Sequence, residues 1–379
     1  MKRRLACDIC ILALVLILNS GASCFASGAS TNELVLTRIG QVETGDAYDV
    51  WVDTDNDIAY VTCGYSGIKI FDVSDPHNPA EVTNVPSSSG GYAHQIAMRE
   101  NLMFLGDGQG GLKIIDFANW SNPVVRCQYT GDYAWDVEVV GDTAFVANGF
   151  RGNGDRLTIV DATDPTTPAL LGNHSTVGDA TDIEVVENLA FVTTSHGGFT
   201  VFDVSNHSNP VQLGQYARQS TSKTELGDLE IVGNLAFLSY WGWSFKILNI
   251  SEISSIGVVA EFNESSSAFS VHIEIDRSLA FLCDHELGLL VLDISIPTQP
   301  TETGRYFDGG KPCRVQVVDN LVYMTDQDNG FVILEIGENN TLVTGLEPLL
   351  LVVGVAATLA LGWWMRKSRA SSHTVRQID

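Results

Sequence analysis

A six-residue pattern of Gly, apolar, any residue, apolar, apolar and Asp recurs along this chain at a nearly constant interval. The first two copies are Gly67–Asp72 and Gly111–Asp116. Seven copies, some of them altered, close at Asp72, Asp116, Asp161, Asp203, Asn249, Asp293 and Glu335, which lie 42 to 46 residues apart. A period in this range indicates one supersecondary unit that is repeated, since so small a unit buries its apolar face only by stacking on its neighbours.

Each repeat carries the pattern of four short strands. In the third repeat, residues 136–139 alternate polar and apolar, and a Gly-Asp turn leads to an apolar stretch at 144–146. The repeated motif follows as a third strand. A turn rich in Asp, Asn and Pro then leads to a fourth strand, as at 211–216 in the next repeat. Four strands in this length are typical of one β-propeller blade.

The two ends of the repeat array predict how it closes. The seventh repeat stops at Ile336 without a fourth strand, whereas residues 34–42 precede the first repeat and match the fourth strands of the others. Pairing both ends in one sheet removes the exposed strand edges of an open array. We therefore predict an all-β, seven-bladed β-propeller closed by the N-terminal strand, in preference to a linear β-solenoid, which needs no such complement.

Residues at the two chain ends predict export and anchoring. Residues 1–26 combine a basic start, an apolar run and small residues, as a secretory signal peptide does. Residues 348–365 carry no charge and precede a basic cluster, which favours a transmembrane helix with the tail, 366–379, in the cytoplasm; a buried core helix is the alternative. The propeller then occupies 27–336 and a linker 337–347, in a single-pass plasma-membrane protein whose N-terminal domain lies outside.

The charge balance narrows the choice of partner. Asp and Glu number 46 against 21 for Lys and Arg, a formal net charge of −25. The electrostatic field of so acidic a protein repels the phosphate backbone of nucleic acids. DNA and RNA are therefore excluded as partners. We expect an extracellular protein or a glycan as the partner, and cations also suit this surface.

The third strands resemble those of a known family. They read LTIVD at 157–161, LLVLD at 289–293 and LKIID at 112–116, and Asp-Pro turns follow several copies. The chain is thus similar to the LVIVD-repeat proteins over about residues 34–336. The resemblance implies an exported β-propeller that acts as a surface or adhesion-type module, and it brings no catalytic residues. Asn249 and Glu335 depart from the terminal Asp of the motif, and the fifth repeat lacks the Asp-Pro turn.

Equivalent positions in the first strands predict two rings of side chains around the propeller axis. Alignment of the repeats places Asp49, Gln95, Asp136, Asp182, Asp228, His272 and Arg314 in the first ring. The second ring, two residues further along, contains Trp51, Ala97, Glu138, Glu184, Glu230, Glu274 and Gln316. The first ring is the candidate ligand-binding site.

The carboxylates of Asp136, Asp182 and Asp228 make this ring a candidate cation site. Calcium is the expected ion and the one cofactor considered, because hard cations bind clustered carboxylate oxygens. The alternative is that the ring side chains hydrogen-bond backbone amides of neighbouring blades or hold water.

Trp241 and Trp243 form a second candidate site, in the loop that follows the second strand of the fifth repeat. Aromatic anchors of this kind dominate binding energy, so the loop suits a glycan or protein partner. The alternative is that one of the two packs inside its own blade.

Catalysis finds little support in the sequence. It contains neither Gly-x-Ser-x-Gly nor His-Glu-x-x-His, and we assign no catalytic residue. His94 and His272 are the best acid-base candidates, with Asp228 placed to orient His272. We therefore interpret the protein as a binding module. The alternative is a surface enzyme or a cation-binding protein that uses the acidic mouth of the channel.

Four cysteines follow the predicted signal peptide: Cys63, Cys127, Cys283 and Cys313. Their places within the repeat differ, so no systematic disulfide is indicated. We predict buried free thiols.

Overall fold

The computed structural model describes residues 33–338, apart from 151–152, 196–197, 218–225, 241–244 and 265–266. Within these residues no helix is long and apolar enough to span a membrane. The predicted signal peptide, the transmembrane helix and the cytoplasmic tail lie outside the described residues, as does most of the predicted linker.

The described residues form strands joined by turns. The first fourteen strands are β1 (Leu34–Val42), β2 (Val50–Asp53), β3 (Ile58–Thr62), β4 (Ile68–Asp72), β5 (Ala80–Val85), β6 (Ile96–Arg99), β7 (Leu102–Gly106), β8 (Leu112–Asp116), β9 (Val124–Tyr129), β10 (Ala134–Val140), β11 (Thr143–Phe150), β12 (Asn153–Asp161), β13 (Ala169–Ser175) and β14 (Ala180–Val186). The strands that follow are β15 (Leu189–Thr194), β16 (Gly198–Asp203), β17 (Val211–Tyr216), β18 (Leu226–Val232), β19 (Leu235–Tyr240), β20 (Phe245–Asn249), β21 (Gly257–Phe262), β22 (Ala268–Glu274), β23 (Leu279–Asp284), β24 (Gly288–Asp293), β25 (Thr301–Tyr306), β26 (Pro312–Val318), β27 (Leu321–Asp326) and β28 (Gly330–Glu338). Two 3₁₀ turns lie at Ile253–Ser255 and Ile275–Arg277.

The strands form repeated four-stranded antiparallel units, as the sequence pattern predicts. Five are separate sheets: β2 to β5, β6 to β9, β10 to β13, β14 to β17 and β18 to β21. An eight-stranded sheet contains the rest, in the order β22-β23-β24-β25-β1-β28-β27-β26. The first strands β6, β10, β14, β18, β22 and β26 contact one another in this order, and β2 contacts β26. The fold is therefore all-β and propeller-like.

The N-terminal strand joins the last unit, which confirms the prediction for residues 34–42. β1 pairs antiparallel with β28, from Leu34 opposite Glu338 to Val42 opposite Phe331. β1 also pairs in parallel with β25 through Leu34 opposite Gly304. The first strand of the chain thus supplies the fourth strand that the seventh repeat lacks.

The apolar core lies between neighbouring units. The second and third strands of the units are almost wholly buried, and each apolar cluster draws side chains from two adjacent four-stranded units. The Phe71 ring of β4, for example, lies 5.3 Å from the Phe331 ring of β28. Burying one such ring is worth roughly 1.5–3 kcal/mol, so the units stabilise one another and none has a core of its own.

The Asp that closes most copies of the repeat motif forms the turn after the third strand. Asp72 Oδ1 accepts hydrogen bonds from Ser74 N at 2.9 Å and Ser74 Oγ at 2.6 Å. These bonds hold the pKa of Asp72 below its ordinary value. Asn249 accepts the backbone N–H of Ser251 at 2.9 Å, so the altered fifth repeat keeps the same turn.

Glycine in the fourth strands lets neighbouring units dock. A Cβ at Gly172 would lie 2.1 Å from the carbonyl oxygen of His207, in the turn of the next unit. At Gly40 of β1 it would lie 2.1 Å from the carbonyl oxygen of Pro76. Close contacts of this kind explain the glycine that β1 shares with the fourth strands β13, β17 and β25.

The cysteines Cys63, Cys127, Cys283 and Cys313 are all free. The prediction of free thiols is confirmed. The prediction that the thiols are buried is wrong for Cys127. This residue is half-buried because the outer strand β9 is largely exposed.

We expect Gly172→Ala to lower the free energy of unfolding by about 2 kcal/mol, because the added methyl group meets backbone and not a flexible side chain. Urea denaturation measures the change. Gly257→Ala is the matched control, since a Cβ there has no neighbour within 4 Å. Equal stability of the two variants would contradict the docking role of the fourth-strand glycine.

Candidate functional site: the axial cavity and the aromatic mouth

The strand register places one side chain of each unit in the first ring. Asp182 lies opposite Thr193 across the first hairpin of its unit, and Arg314 lies opposite Thr325 in the same way. The residues at this register position are Asp49, Gln95, Asp136, Asp182, Asp228, Ser270 and Arg314. Six of the seven residues predicted for this position therefore occupy it, and ligand binding by the ring stays a prediction.

His272 belongs to the second ring, so its predicted place in the first ring is wrong. Ser270 pairs with Cys283 at the first-ring level, directly after the same register shift that precedes Asp182 and Arg314. His272 pairs with Phe281, as Glu184 pairs with Phe191 and Glu230 with Phe237. The alignment slipped by two residues because strand alternation has a period of two and accepts either register. Glu274, predicted for the second ring, lies one step beyond it.

The four first-ring carboxylates hold neighbouring units together. Each accepts the backbone N–H of the next unit's first strand, in the pairs Asp49–Ile96 (2.9 Å), Asp136–Ile183 (2.8 Å), Asp182–Leu229 (2.8 Å) and Asp228–Val271 (3.1 Å). We call these four pairs the axial clamp. They confirm the alternative interpretation, in which ring side chains hydrogen-bond the amides of neighbouring units.

The second ring repeats the clamp one step further along the axis. Glu184 accepts the N–H of Ile231 at 2.7 Å, and Glu230 accepts that of Ile273 at 2.8 Å. Gln316 Oε1 accepts the N–H of Val52 at 2.7 Å. This last bond joins β26 to β2 and so links the last unit to the first.

Arg314 supplies the positive charge among these carboxylates. Its Nη1 lies 2.5 Å from Asp228 Oδ1, and its Nε lies 3.3 Å from Asp49 Oδ1. Burial opposes the charged guanidinium, but the surrounding carboxylates outweigh this and raise the pKa of Arg314 well above its ordinary value. The side chain reaches across the axis and pairs with two units that are not adjacent to each other.

A cavity of about 310 Å³ lies among the two rings. Its lining includes the carboxyls of Asp136, Asp182 and Glu138, together with His272 and Arg314. Burial raises the pKa of Glu138 to about 7 and lowers that of His272 to about 4. The raised pKa values of the buried Asp136 and Asp182 have the same first cause. The cluster therefore holds protons near neutral pH and does not carry its full formal charge.

The predicted calcium site gains no support from this geometry. Among the described residues, no group of three or more His, Cys, Asp or Glu side chains is arranged to hold a metal ion. Oxygens of Asp136, Asp182 and Asp228 accept backbone amides, and Asp228 also pairs with Arg314. Oxygens engaged in this way are poor ligands for a hard cation.

A cluster of aromatic side chains lies where the first strands of three successive units begin. We call it the aromatic mouth, and it consists of Tyr48, Tyr65, Tyr92, His94, Tyr133 and Trp135. The hydroxyls of Tyr48 and Tyr92 are 2.5 Å apart, and His94 Nε2 lies 2.8 Å from the hydroxyl of Tyr133. The His94 and Trp135 rings lie 4.3 Å apart. Hydrogen bonds and ring packing thus join the three units into one surface.

Sequence reasoning did not find the tyrosines, although a signal for them exists. The segments Tyr92-Ala93-His94 and Tyr133-Ala134-Trp135 place aromatic residues on both sides of an Ala, directly before a first-ring position, and Ala47-Tyr48 shares the second half of this pattern. Comparing only the ring positions misses this neighbouring column of the repeat alignment.

The two candidate histidines are unsuited to acid-base chemistry near neutral pH. Burial lowers the pKa of His94 to about 3, and His94 Nε2 is engaged with Tyr133. His272 Nδ1 lies 3.6 Å from Glu230 Oε2, so the expected orientation of His272 by Asp228 is wrong. The Trp241 and Trp243 site lies outside the described residues.

The fold and the site define an all-β repeat protein whose units are joined around an acidic axis. The LVIVD repeat model matches six segments, at residues 44–86, 90–130, 131–176, 177–218, 277–308 and 309–341. They cover more than half of the chain, which therefore belongs to the LVIVD repeat family. Residues 219–276, which contain the altered fifth repeat, are not matched. No curated protein matches the chain.

The raised carboxyl pKa values predict that stability falls as the pH rises from 7 to 9. Burial raises the pKa of Asp182 to about 7 and that of Asp228 to about 8, so the folded chain binds more protons than the unfolded chain in this window. The contribution of these carboxyl groups to the free energy of unfolding is fully present below their pKa in the unfolded chain, near 4. It is lost as the pH rises through their pKa values in the folded chain. Each excess proton is worth about 1.4 kcal/mol per pH unit, measured by urea denaturation at several pH values.

Asp182→Asn tests whether these carboxyl groups cause the pH dependence. Because the variant lacks one titrating group, its free energy of unfolding should fall less steeply with pH. The lowered pKa values of His94 and His272 affect stability only below about pH 6.5, outside the window. Asp75→Asn, at a fully exposed turn, is the control and should keep the wild-type slope. Stability that rises from pH 7 to pH 9 would contradict the assignment.

Proposed function

We propose that the protein is a seven-bladed β-propeller that acts as an interaction module, with its partner bound at the aromatic mouth. The repeated sheets support the blade number, since the eight-stranded sheet divides into β22 to β25 and β26 to β28 plus β1. Among the described residues, the strand pairing that joins the two halves into one sheet is the short parallel pairing of β1 with β25. Counted in this way, every blade has four strands.

The observation that carries this function is the exposure of aromatic surface at the mouth. Tyr65 is 78% exposed and packs edge-on against Tyr92, with 4.6 Å between ring centroids. Tyr48, Tyr92 and Tyr133 are half-buried beside it. Large aromatic side chains of this kind act as anchors in protein interfaces, because they bury much area for little lost conformational freedom.

The mouth is a better candidate than the axial cavity. The cavity carboxyls are engaged in the axial clamp, so a ligand there would compete with bonds that hold the fold together. The mouth residues can be covered without breaking any bond between units. A protein partner therefore has more support than a cation or an enzyme substrate at the axis.

Export and anchoring complete the proposal. The signal-like residues 1–26 and the uncharged segment 348–365 support a cell-surface protein with the repeat domain outside. An adhesion-type role is the form of interaction that this placement favours.

A photo-crosslinking amino acid at position 65 of the full chain tests the proposal in cells. We expect one discrete adduct with a partner, which stays with the membranes in alkaline carbonate. A chain that ends at residue 345 should release its adduct into the soluble fraction. The readout is the size and the fractionation of the crosslinked species.

The same crosslinker at position 55 is the control, because Asp55 lies in the exposed β2–β3 turn, at the other end of the first strand. Adducts that form equally from both positions, or none from position 65, contradict binding at the mouth. Full release of the intact chain by carbonate contradicts the anchor.

A further inference from the structure

We propose that the aromatic mouth binds a positively charged side chain of the partner, with arginine preferred over lysine. This inference rests on the proposed function and specifies the chemistry of the partner. It is carried by three features of the mouth: engaged hydroxyl groups, an exposed ring and a negative local charge.

The polar atoms of the mouth are largely engaged with one another. The Tyr48 hydroxyl is bonded to that of Tyr92, and the Tyr133 hydroxyl to His94 Nε2. Trp135 Nε1 donates to the carbonyl oxygen of Gly149 at 2.5 Å. A glycan would need free donors and acceptors for its hydroxyl groups, whereas these residues chiefly offer ring surface. Ring faces carry the negative end of the aromatic quadrupole and attract cations.

The geometry of Tyr65 leaves ring surface open to a ligand. The Tyr65 and Tyr92 rings are nearly perpendicular, at 86°, and Tyr65 is 78% exposed. Only one side of the ring system is therefore used for packing within the protein. A planar guanidinium stacks on such a face better than an ammonium group does, which favours arginine.

The charges near the mouth are negative. Asp46 is exposed and acts electrostatically on both Tyr48 and Tyr92. In the described part of the chain, the basic side chains near the mouth are already paired: Lys113 Nζ lies 3.0 Å from Asp107 Oδ2, and Arg156 Nε lies 3.5 Å from Asp132 Oδ2. Burial lowers the pKa of His94 and raises that of Tyr133, so both rings are neutral near pH 7.

Charge complementarity therefore selects the occupant. Aromatic faces beside the exposed Asp46 carboxylate, on a chain of net charge −25, attract a cation and repel an acidic segment. A neutral apolar segment would use the rings but gain nothing from Asp46.

Titration of the full chain in detergent with hexa-arginine, hexalysine and hexaglutamate tests the inference by calorimetry. We expect hexa-arginine to bind more tightly than hexalysine, and hexaglutamate not to bind. Tyr65→Ala should weaken hexa-arginine binding by about three- to tenfold, the loss of one exposed cation–π contact with its packing, whereas Tyr65→Phe should keep it. Asp46→Asn should also weaken binding, and Asp55→Asn, which removes one exposed charge elsewhere, should not.

Binding that is equal in wild type and Tyr65→Ala would show general attraction to an acidic protein and would overturn the inference. Absence of hexa-arginine binding would overturn it as well. A partner that crosslinks from position 65 but not from position 55, without any hexa-arginine binding by the wild-type chain, leaves the proposed function intact and rejects only the cationic partner.

Discussion

The hydrogen bond from a backbone N–H of one first strand to a carboxylate of the preceding first strand is the contact on which the structure depends. First strands lie at the edge of their sheets, so some of their amides have no partner strand. The axial clamp satisfies four such amides with Asp49, Asp136, Asp182 and Asp228. Side chains along the axis thereby satisfy backbone N–H groups at the inner sheet edges, as antiparallel strand pairing does within the sheets.

The axial clamp concentrates negative charge around the axis. A buried arginine, raised carboxyl pKa values and an uncharged glutamine reduce this charge. Arg314 pairs with Asp228 and Asp49, and burial keeps several carboxyls protonated near neutral pH. Gln316 makes the same kind of bond without a charge where the last unit meets the first. The acidic composition is therefore partly structural. The aromatic mouth is where charge and apolar surface face the solvent together and are available to a partner.

The sequence predicts the fold well because the repeat period, the strand alternation and the turn residues agree in most units. The prediction for residues 34–42 is correct, and its signal is the Gly-Gln pair that these residues share with the fourth strand β17. His272 was misplaced because alternation cannot distinguish registers two residues apart. The sequence does not predict the partners of Arg314, which lie across the axis in other repeats, or the packing of the tyrosines, which joins successive repeats. The repeat motif also does not reveal that Asp72 and its equivalents accept hydrogen bonds in the following turn.

Amide hydrogen exchange in an Asp182→Ala variant tests the axial clamp most directly. Asp182 accepts the N–H of Leu229, whereas the N–H of Ile96 is held by Asp49 in another pair of units. The account requires exchange at Leu229 to accelerate at least about tenfold more than exchange at Ile96, the equivalent of about 1.4 kcal/mol. An unchanged rate at Leu229, or equal acceleration at both amides, would contradict the claim that these carboxylates hold neighbouring units together.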